Sequence, residues 1–599
     1  MPARTPAEVR SATSICQLFQ DTAATHNDRV ALRAAANSRA LTWQQYAGRV
    51  RSVAAGLAAI GVRHGDTVAL MLTNRPEFNI IDAAVCHLGA VSFSVYNTSS
   101  AEQINYLMRN AGNRVVVCEE QFVPVLTEAR GDTEAEHLVC VDGAPAGGMS
   151  LQQLEAGGDP SFDFRAAWQA VRPDDVLTII YTSGTTGPPK GVELTHRNLL
   201  TNIAALLELI DIDERDRVVS YLPDAHIVNR YLAHYVPAVT GTAITTVADH
   251  KTLVTVLPDV RPTIFAAVPL FWYKIQAALN ARLSEEAGAK GVLARWAVAA
   301  GERKARALTG DGRVPRQTAI QAAVAERLVL RPLRSKVGLD QMRIAVSGAA
   351  PIAAETLLFV LGLGLPVCEA WGMSELSAVA TVNPPSAIRV GTVGKAAPGV
   401  ELRVADDGEL LVRGPGLMKG YRNDPGKTAE AIDADGWMHT GDIGTVDADG
   451  YVRIVDRKKE LIINSGGKNI APSNIENHVR AACPLIGSVV AIGDDRPYIV
   501  ALMSLDADAA TVCARQLGIE STPEVLATHP EVRATVQAGV DAANSKLSRV
   551  EQIKYFEIVP SFWQPGGDEL TPTAKLKRKP ITAKYAAEIE RLYANTRKV

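Results

Sequence analysis

From about residue 40 to residue 400, short runs rich in Val, Ile and Ala alternate with segments whose apolar residues recur at helical spacing. Thr67 to Leu72, Arg114 to Cys118, Val176 to Tyr181, Thr263 to Val268 and Arg343 to Val346 read as strands, and Leu199, Ile203, Leu206, Leu207 and Ile210 as one helix face. Such alternation predicts βαβ units and an α/β fold with largely parallel sheets, whose ligands sit at the carboxyl ends of the strands. Near Glu401 the pattern changes to shorter runs of alternating polarity with Gly or Asp-Gly turns, as in Glu409 to Arg413 and Asp449 to Ile454. These predict a β-rich subdomain over about 400–455 that closes a large N-terminal domain, 1–455. The charged run Asp456-Arg457-Lys458-Lys459-Glu460 reads as a hinge, and 461–599 as a small C-terminal α+β domain.

Two long stretches lack Asp, Glu, Lys and Arg, from Ala83 to Ala101 and from Tyr231 to Ala248. Both carry His, Gly and several hydroxyl residues, unlike a spanning helix, and read as buried core. Across the 599 residues 47% are hydrophobic and 21% charged, the composition of an ordinary globular protein rather than a disordered one. Lys+Arg 62 against Asp+Glu 65 gives a formal charge of -3, so no broad basic surface points to nucleic acid and any anion site must be local. Seven cysteines stand singly, without a C-x-x-C pair, which suits neither a disulfide framework nor a zinc ribbon and fits a reducing cytoplasm. Glu8 and Arg10 interrupt the N-terminus, so no secretory segment is expected. Arg282 to Leu333 is rich in Ala and Arg and reads as consecutive helices, either a solvated cover or a basic face that rests transiently on the inner face of a membrane.

The strongest local signal is Tyr181-Thr182-Ser183-Gly184-Thr185-Thr186-Gly187-Pro188-Pro189-Lys190-Gly191, read as a strand, a loop and then a helix. Glycines let backbone N–H groups approach an anion, hydroxyls add donors, and Lys190 adds a charge. The loop is not Walker A, because Pro189 stands where that motif needs its second glycine. Gly362-x-Gly364 likewise fails as a dinucleotide fingerprint, since Val367 replaces the third glycine.

The loop resembles the signature of the AMP-forming acyl-adenylate enzymes, and other landmarks of that superfamily follow in order. Leu222-Pro223-x-Ala225-His226 resembles the loop whose histidine borders the acyl and ATP sites, and Ser347-Gly348-Ala349-Ala350-Pro351 the adenine-flanking turn. Glu369-Ala370-Trp371-Gly372-Met373-Ser374-Glu375 is similar to the aromatic-Gly-x-[ST]-Glu segment, and Gly436 to Asp442 with Asp456-Arg457 to the ribose-binding segments. Gly466-Gly467-Lys468 to Glu476 and Glu569 to Lys577 look like the long-chain fatty acyl-CoA synthetases.

The resemblance implies an N-terminal adenylation domain and ATP-dependent activation of a long-chain fatty acid to acyl-AMP, followed by transfer to coenzyme A. Mg²⁺ is the implied cofactor, ATP and coenzyme A are co-substrates, and no nucleic acid takes part. Oligomeric state is left open. Lys575, His226 and Glu375 are the implied catalytic residues, with Glu375 and Thr182 beside the metal. Ser183 to Gly187, Lys190, Ala349, Ala350, Pro351, Glu369, Trp371, Gly372, Met373 and Ser374 are implied around ATP and AMP. Trp371 is expected to stack on adenine, Asp442 to hold the ribose and Arg457 the ribose or phosphate. Lys459 is the implied pivot, and Gly466, Gly467 and Lys468 face CoA. Three positions depart from the pattern: Asp224 replaces an apolar residue, Leu376 a threonine, and Ala574 the residue, often Gly or Leu, before the lysine. A carboxylate at 224 beside bound phosphates would be disfavoured unless paired. Two other readings remain: a ligase that loads a carrier protein, and a catalytically weak nucleotide binder.

Overall fold

A computed structural model describes residues 4–35, 40–182, 188–310, 312–571 and 573–594. The largest sheet has eight strands. Val176–Thr182, Val91–Ser94, Thr67–Met71, Val115–Cys118, His137–Cys140 and Met149–Ser150 run parallel in that spatial order, and Lys190–Thr195 and Gly420–Tyr421 add an antiparallel edge. Every residue of Thr67–Met71 is buried, as expected of a strand covered by helices on both faces. The five expected α/β strands all form, each within a residue or two of its reading.

A second sheet runs parallel through Ile264–Ala267, Ile344–Ser347 and Val367–Trp371 before two short antiparallel strands. A third joins Arg217–Ser220, Ala243–Thr246 and Val30–Ala34 in parallel. Glu401–Val404, Glu409–Arg413, Met438–Val446 and Val452–Arg457 form the expected antiparallel β-rich part.

Helix starts are written locally. Thr42, Ser100 and Thr195 each cap a helix and accept from the backbone N–H three residues on, while Gln45, Gln103 and Asn198 bond back to the cap. Gly301 lets helix Gly288–Thr309 lie against Ala354–Gly362: a Cβ there would stand 2.0 Å from the Gly362 carbonyl oxygen.

The C-terminal part has its own core. Strand Ile499–Leu505 buries alternate residues into two clusters, Ile499, Ala501 and Met503 with Ile475, Val479 and Val536, and Val500 and Leu502 with Trp563 and Ile581. The Arg282 to Leu333 segment is helical throughout most of its length, as Gly288–Thr309, Arg316–Ala325 and a π-helical turn Glu326–Leu330. Its outer face exposes Ile320, Val324 and Leu328. Among the described residues no helix is long and apolar enough to cross a membrane.

Candidate active site

Val176–Thr182 and Lys190–Thr195 pair antiparallel, with Thr182 directly opposite Lys190. The strands on either side of the glycine loop are therefore antiparallel partners, and helix His196–Leu209 begins only after the second strand. This corrects the strand, loop, helix reading: Val192 and Leu194 alternate inward over a run short enough to be absorbed into the helical signal that follows. Ser183, Gly184, Thr185, Thr186 and Gly187 lie outside the described residues. Thr182 and Lys190 mark the lips of the loop.

Lys190 places its ammonium 4.5 Å above the ring of Tyr421, and the Tyr421 hydroxyl donates to Glu375 Oε1 at 2.9 Å. Tyr421 reaches both because its short strand pairs with the loop's second strand, Tyr421 opposite Val192. Burial and the Glu375 carboxylate push the Tyr421 phenol up, so it stays a donor. Glu375 lies in the tight turn Ser374–Leu376 after strand Val367–Trp371. Gly372 makes that turn possible, since a Cβ there would stand 2.0 Å from the Ala378 carbonyl oxygen.

Asp442 is buried and engaged on both oxygens. Trp371 Nε1 donates to Oδ2, and the Arg457 guanidinium forms an ion pair with Oδ1 through Nε, each at 2.7 Å. Burial pushes this carboxyl up, while Arg457 and Trp371 oppose the shift. Each carboxylate oxygen keeps a further lone pair for a ligand hydroxyl. Trp371 is 9% exposed and its indole N–H is engaged by Asp442.

Lys575 belongs to the C-terminal part. Its backbone is closed in a turn: Lys575 N–H donates to Thr571 Oγ1 at 3.0 Å and Thr571 N–H to the Lys575 carbonyl at 2.8 Å. Ala574, one of the departures, holds φ +58, a left-handed conformation that a glycine adopts without strain. The residue keeps exposed surface, yet enough protein surrounds the ammonium to push its pKa down. Arg457 adds to that, whereas Asp442, Glu375 and Glu460 hold the charge. Lys575 thus feels the Asp442, Arg457 and Glu375 groups expected to share a site with it.

His226 lies within the field of Lys575. Burial, with Lys575 second, lowers its pKa to about 4, so the ring is neutral at pH 7. Val228 N–H donates to Nδ1 at 3.3 Å, which leaves the hydrogen on Nε2. His226 therefore offers a hydrogen-bond donor rather than a base.

Other expected residues are more peripheral. Ala349, at φ +67, Ala350 and Pro351 form an exposed turn. Met373 and Ser374 lead into the Glu375 turn. Glu369 is buried, its carboxyl pushed up to about 8, and Oε2 has no hydrogen-bond partner among the described residues. Lys459 is exposed in the turn after strand Val452–Arg457. Gly466, Gly467 and Lys468 form an exposed hairpin tip whose bonds are internal, with Asn464 Oδ1 accepting from Gly466 N–H and Lys468 N–H. Tyr421 was not foreseen, because only strand pairing brings it beside Lys190 and Glu375.

The donor set suits a hard divalent cation. A carboxylate, Glu375, and a hydroxyl, Thr182, are oxygen ligands of the kind Mg²⁺ takes when phosphates supply the rest. A buried carboxylate paired with Arg457, and Lys190 beside Tyr421 and Glu375, make an arrangement that suits a nucleotide.

Family comparison agrees. Residues 19–422 match the AMP-binding enzyme family and 459–597 the AMP-binding enzyme C-terminal domain. The chain belongs to the AMP-binding enzyme family. It is 52% identical over 451 residues to a Mycobacterium tuberculosis protein carrying the provisional name fatty-acid–CoA ligase fadD11, covering 75% of this chain and 79% of the relative. It is 37% identical to the long-chain-fatty-acid–CoA ligase FadD15 of Mycobacterium bovis, with 92% of each chain covered. Among solved structures, the adenylation domain of a Mycobacterium chelonae carboxylate reductase superposes with TM-score 0.76 at 19% identity, covering 98% of this chain and 93% of that one. At this identity the likeness concerns the fold.

Proposed function

We propose that the protein joins a long-chain fatty acid to coenzyme A in two steps that share one cleft. In the first, a fatty carboxylate oxygen attacks the α-phosphorus of ATP, pyrophosphate leaves, and acyl-AMP remains. In the second, the CoA sulfur attacks the acyl carbon, AMP leaves with the bonding electrons, and the thiol proton passes to solvent. The observation that carries this reading is Lys575, a cation brought from the C-terminal part into the field of Asp442, Glu375 and Arg457.

Two anions must meet in the first step, so positioning and neutralisation are the main tasks. Lys575 faces the carboxylate and α-phosphate, Asp442 accepts from the ribose hydroxyls, and His226 donates from Nε2. Glu375 and Thr182 would hold Mg²⁺, which when bound would screen phosphate charge. Residues 1–455 act as the adenylation unit and 461–599 as a mobile unit, pivoting at Lys459 so that Gly466, Gly467 and Lys468 replace Lys575 for the CoA step. The protein works in the cytoplasm with reversible membrane contact. Ile320, Val324 and Leu328 are exposed at successive helical turns, with exposed Arg316, Arg327 and Arg331 beside them, a face that suits an anionic bilayer.

The test is a panel of acids from short to very long, assayed for pyrophosphate release with and without CoA. Long-chain acids should give acyl-AMP alone and acyl-CoA plus AMP when CoA is present. Release of ADP, or adenylate that CoA does not discharge, would overturn the reading.

A further inference from the structure

Asp224 is placed where a carboxylate is unwelcome, and the fold surrounds it. Its Oδ1 accepts from Asn229 Nδ2 at 2.5 Å and lies 2.9 Å from His234 Nε2, and its Oδ2 accepts from Asn74 Nδ2 at 3.2 Å. Ser220 Oγ accepts from both asparagines, at 3.1 and 2.9 Å. On the other side of the His234 ring, Nδ1 lies 3.2 Å from Asp82 Oδ2. Asp82 Oδ1 in turn accepts from Arg230 Nη2 at 2.5 Å and from Ser92 Oγ at 2.6 Å. Arg230, Asp82, Asp224 and His234 are all buried.

Carboxylate oxygens only accept, so a ring with both nitrogens on carboxylates is satisfied when both carry hydrogen. The imidazolium also balances the cluster: Arg230 and His234 against Asp82 and Asp224. The other titratable groups packed nearby stay neutral. Burial pushes the phenols of Tyr46 and Tyr235 and the Cys86 thiol up, and lowers His87 to about 4. Phe78, from the same helix as Asp82, covers the His234 ring edge-on at 5.3 Å. Asp224 stands two residues before His226, so its tether restrains the backbone from which the His226 ring projects.

We propose that His234, held as a cation between Asp82 and Asp224, is a positioning residue that locks the Pro223–His226 segment and thereby aims His226 into the cleft. The proposal rests on the adenylation reading given above. It converts the departure at 224 into a working part: the carboxylate tethers the loop, and the proton on His234 is what makes that tether tolerable. Both carboxylates raise the His234 pKa against the opposing effect of burial. A raised folded pKa means that the clamp is present below the ordinary imidazole range and is lost as pH rises through the folded value.

The experiment is the pH profile, from 6 to 9.5, of acyl-AMP formation by the full chain, trapped with hydroxylamine, alongside melting temperature in the same buffers. The wild type should show an alkaline limb in both. Asp224→Asn keeps the shape but removes one carboxylate, and should move the His234 limb in both profiles down by about one pH unit or more. Burial also lowers the Lys575 pKa, but its charged neighbours are Arg457, Asp442, Glu375 and Glu460, so any limb it contributes should not follow residue 224. Asp224→Leu with His234→Leu removes carboxylate and cation together and should melt without the His234 limb. If the limbs stay in place in Asp224→Asn, or the double variant keeps the wild-type melting profile, the proposal is wrong. A wild type that melts as expected yet forms no acyl-AMP with any acid would instead contradict the function on which it rests.

Discussion

Lys458 and Glu460, two residues apart, are tied to opposite halves of the molecule. Lys458 Nζ pairs with Asp407 at 2.5 Å and Glu409 at 3.0 Å in the β-rich part, whereas Glu460 receives Arg578 Nε at 3.2 Å from the C-terminal part. Arg578 is held further by Glu476 at 2.7 and 2.9 Å. The residue between the two anchors is Lys459, exposed in a turn.

A rotation at Lys459 would leave both anchors intact. We predict that Lys459→Pro, which fixes φ, retains acyl-AMP formation within about threefold of wild type but slows thioester formation at least tenfold. Equal loss in both half-reactions, measured by rapid quench, would place the pivot elsewhere.

Tyr421 is predicted to matter through Glu375. Tyr421→Phe removes a hydrogen bond to a buried carboxylate, worth about 1.5–3 kcal/mol, and should raise the apparent KM for MgATP by roughly 10- to 100-fold. The KM for CoA should be unchanged. A uniform loss for both substrates, or a drop in melting temperature that accounts for the lost activity, would make Tyr421 a packing residue.

Acid should unfold the protein through its buried neutral histidines. Burial lowers His87 to about 4 and His196 to about 3, while the unfolded chain protonates near 6.5. The unfolded state therefore takes up protons first as pH falls, and stability drops from pH 6.5 downward at about 1.4 kcal/mol per group per pH unit. His196 Nδ1 also accepts from Ile15 N–H at 3.1 Å, a bond that protonation of that nitrogen would break. His196→Gln should melt lower at pH 7 and lose less melting temperature than wild type between pH 6.5 and 4.5. Parallel curves would contradict the assignment.

Much of this was legible in the linear chain, and the illegible parts have identifiable causes. The parallel strands announced themselves because both faces are buried, as in Thr67–Met71, where apolar runs need no partner to be seen. Strand Lys190–Thr195 did not, because its alternation is short and runs straight into a strong helical period at His196. Asp442, Arg457 and Lys575 were expected from motif resemblance; Asp442 pairs with Arg457, and both act on the Lys575 ammonium. Tyr421, Arg578 and His234 escaped because each acts on a partner far away in sequence or on a group whose significance is visible only once folded. Asp224 was visible as an oddity, but its counterion ten residues on was not.

The account stands most directly on Lys575, measured in the two half-reactions separately. Lys575→Ala and wild type would each be given fatty acid with MgATP, and each, in a second reaction, preformed acyl-AMP with CoA. The account predicts that the variant loses acyl-AMP formation by about 100- to 1000-fold, the usual cost of removing one group aimed at developing charge. It also predicts that the variant converts acyl-AMP and CoA to the thioester at a rate within a few-fold of wild type. A variant that adenylates normally, or one that loses both half-reactions to the same degree while remaining folded, would contradict it.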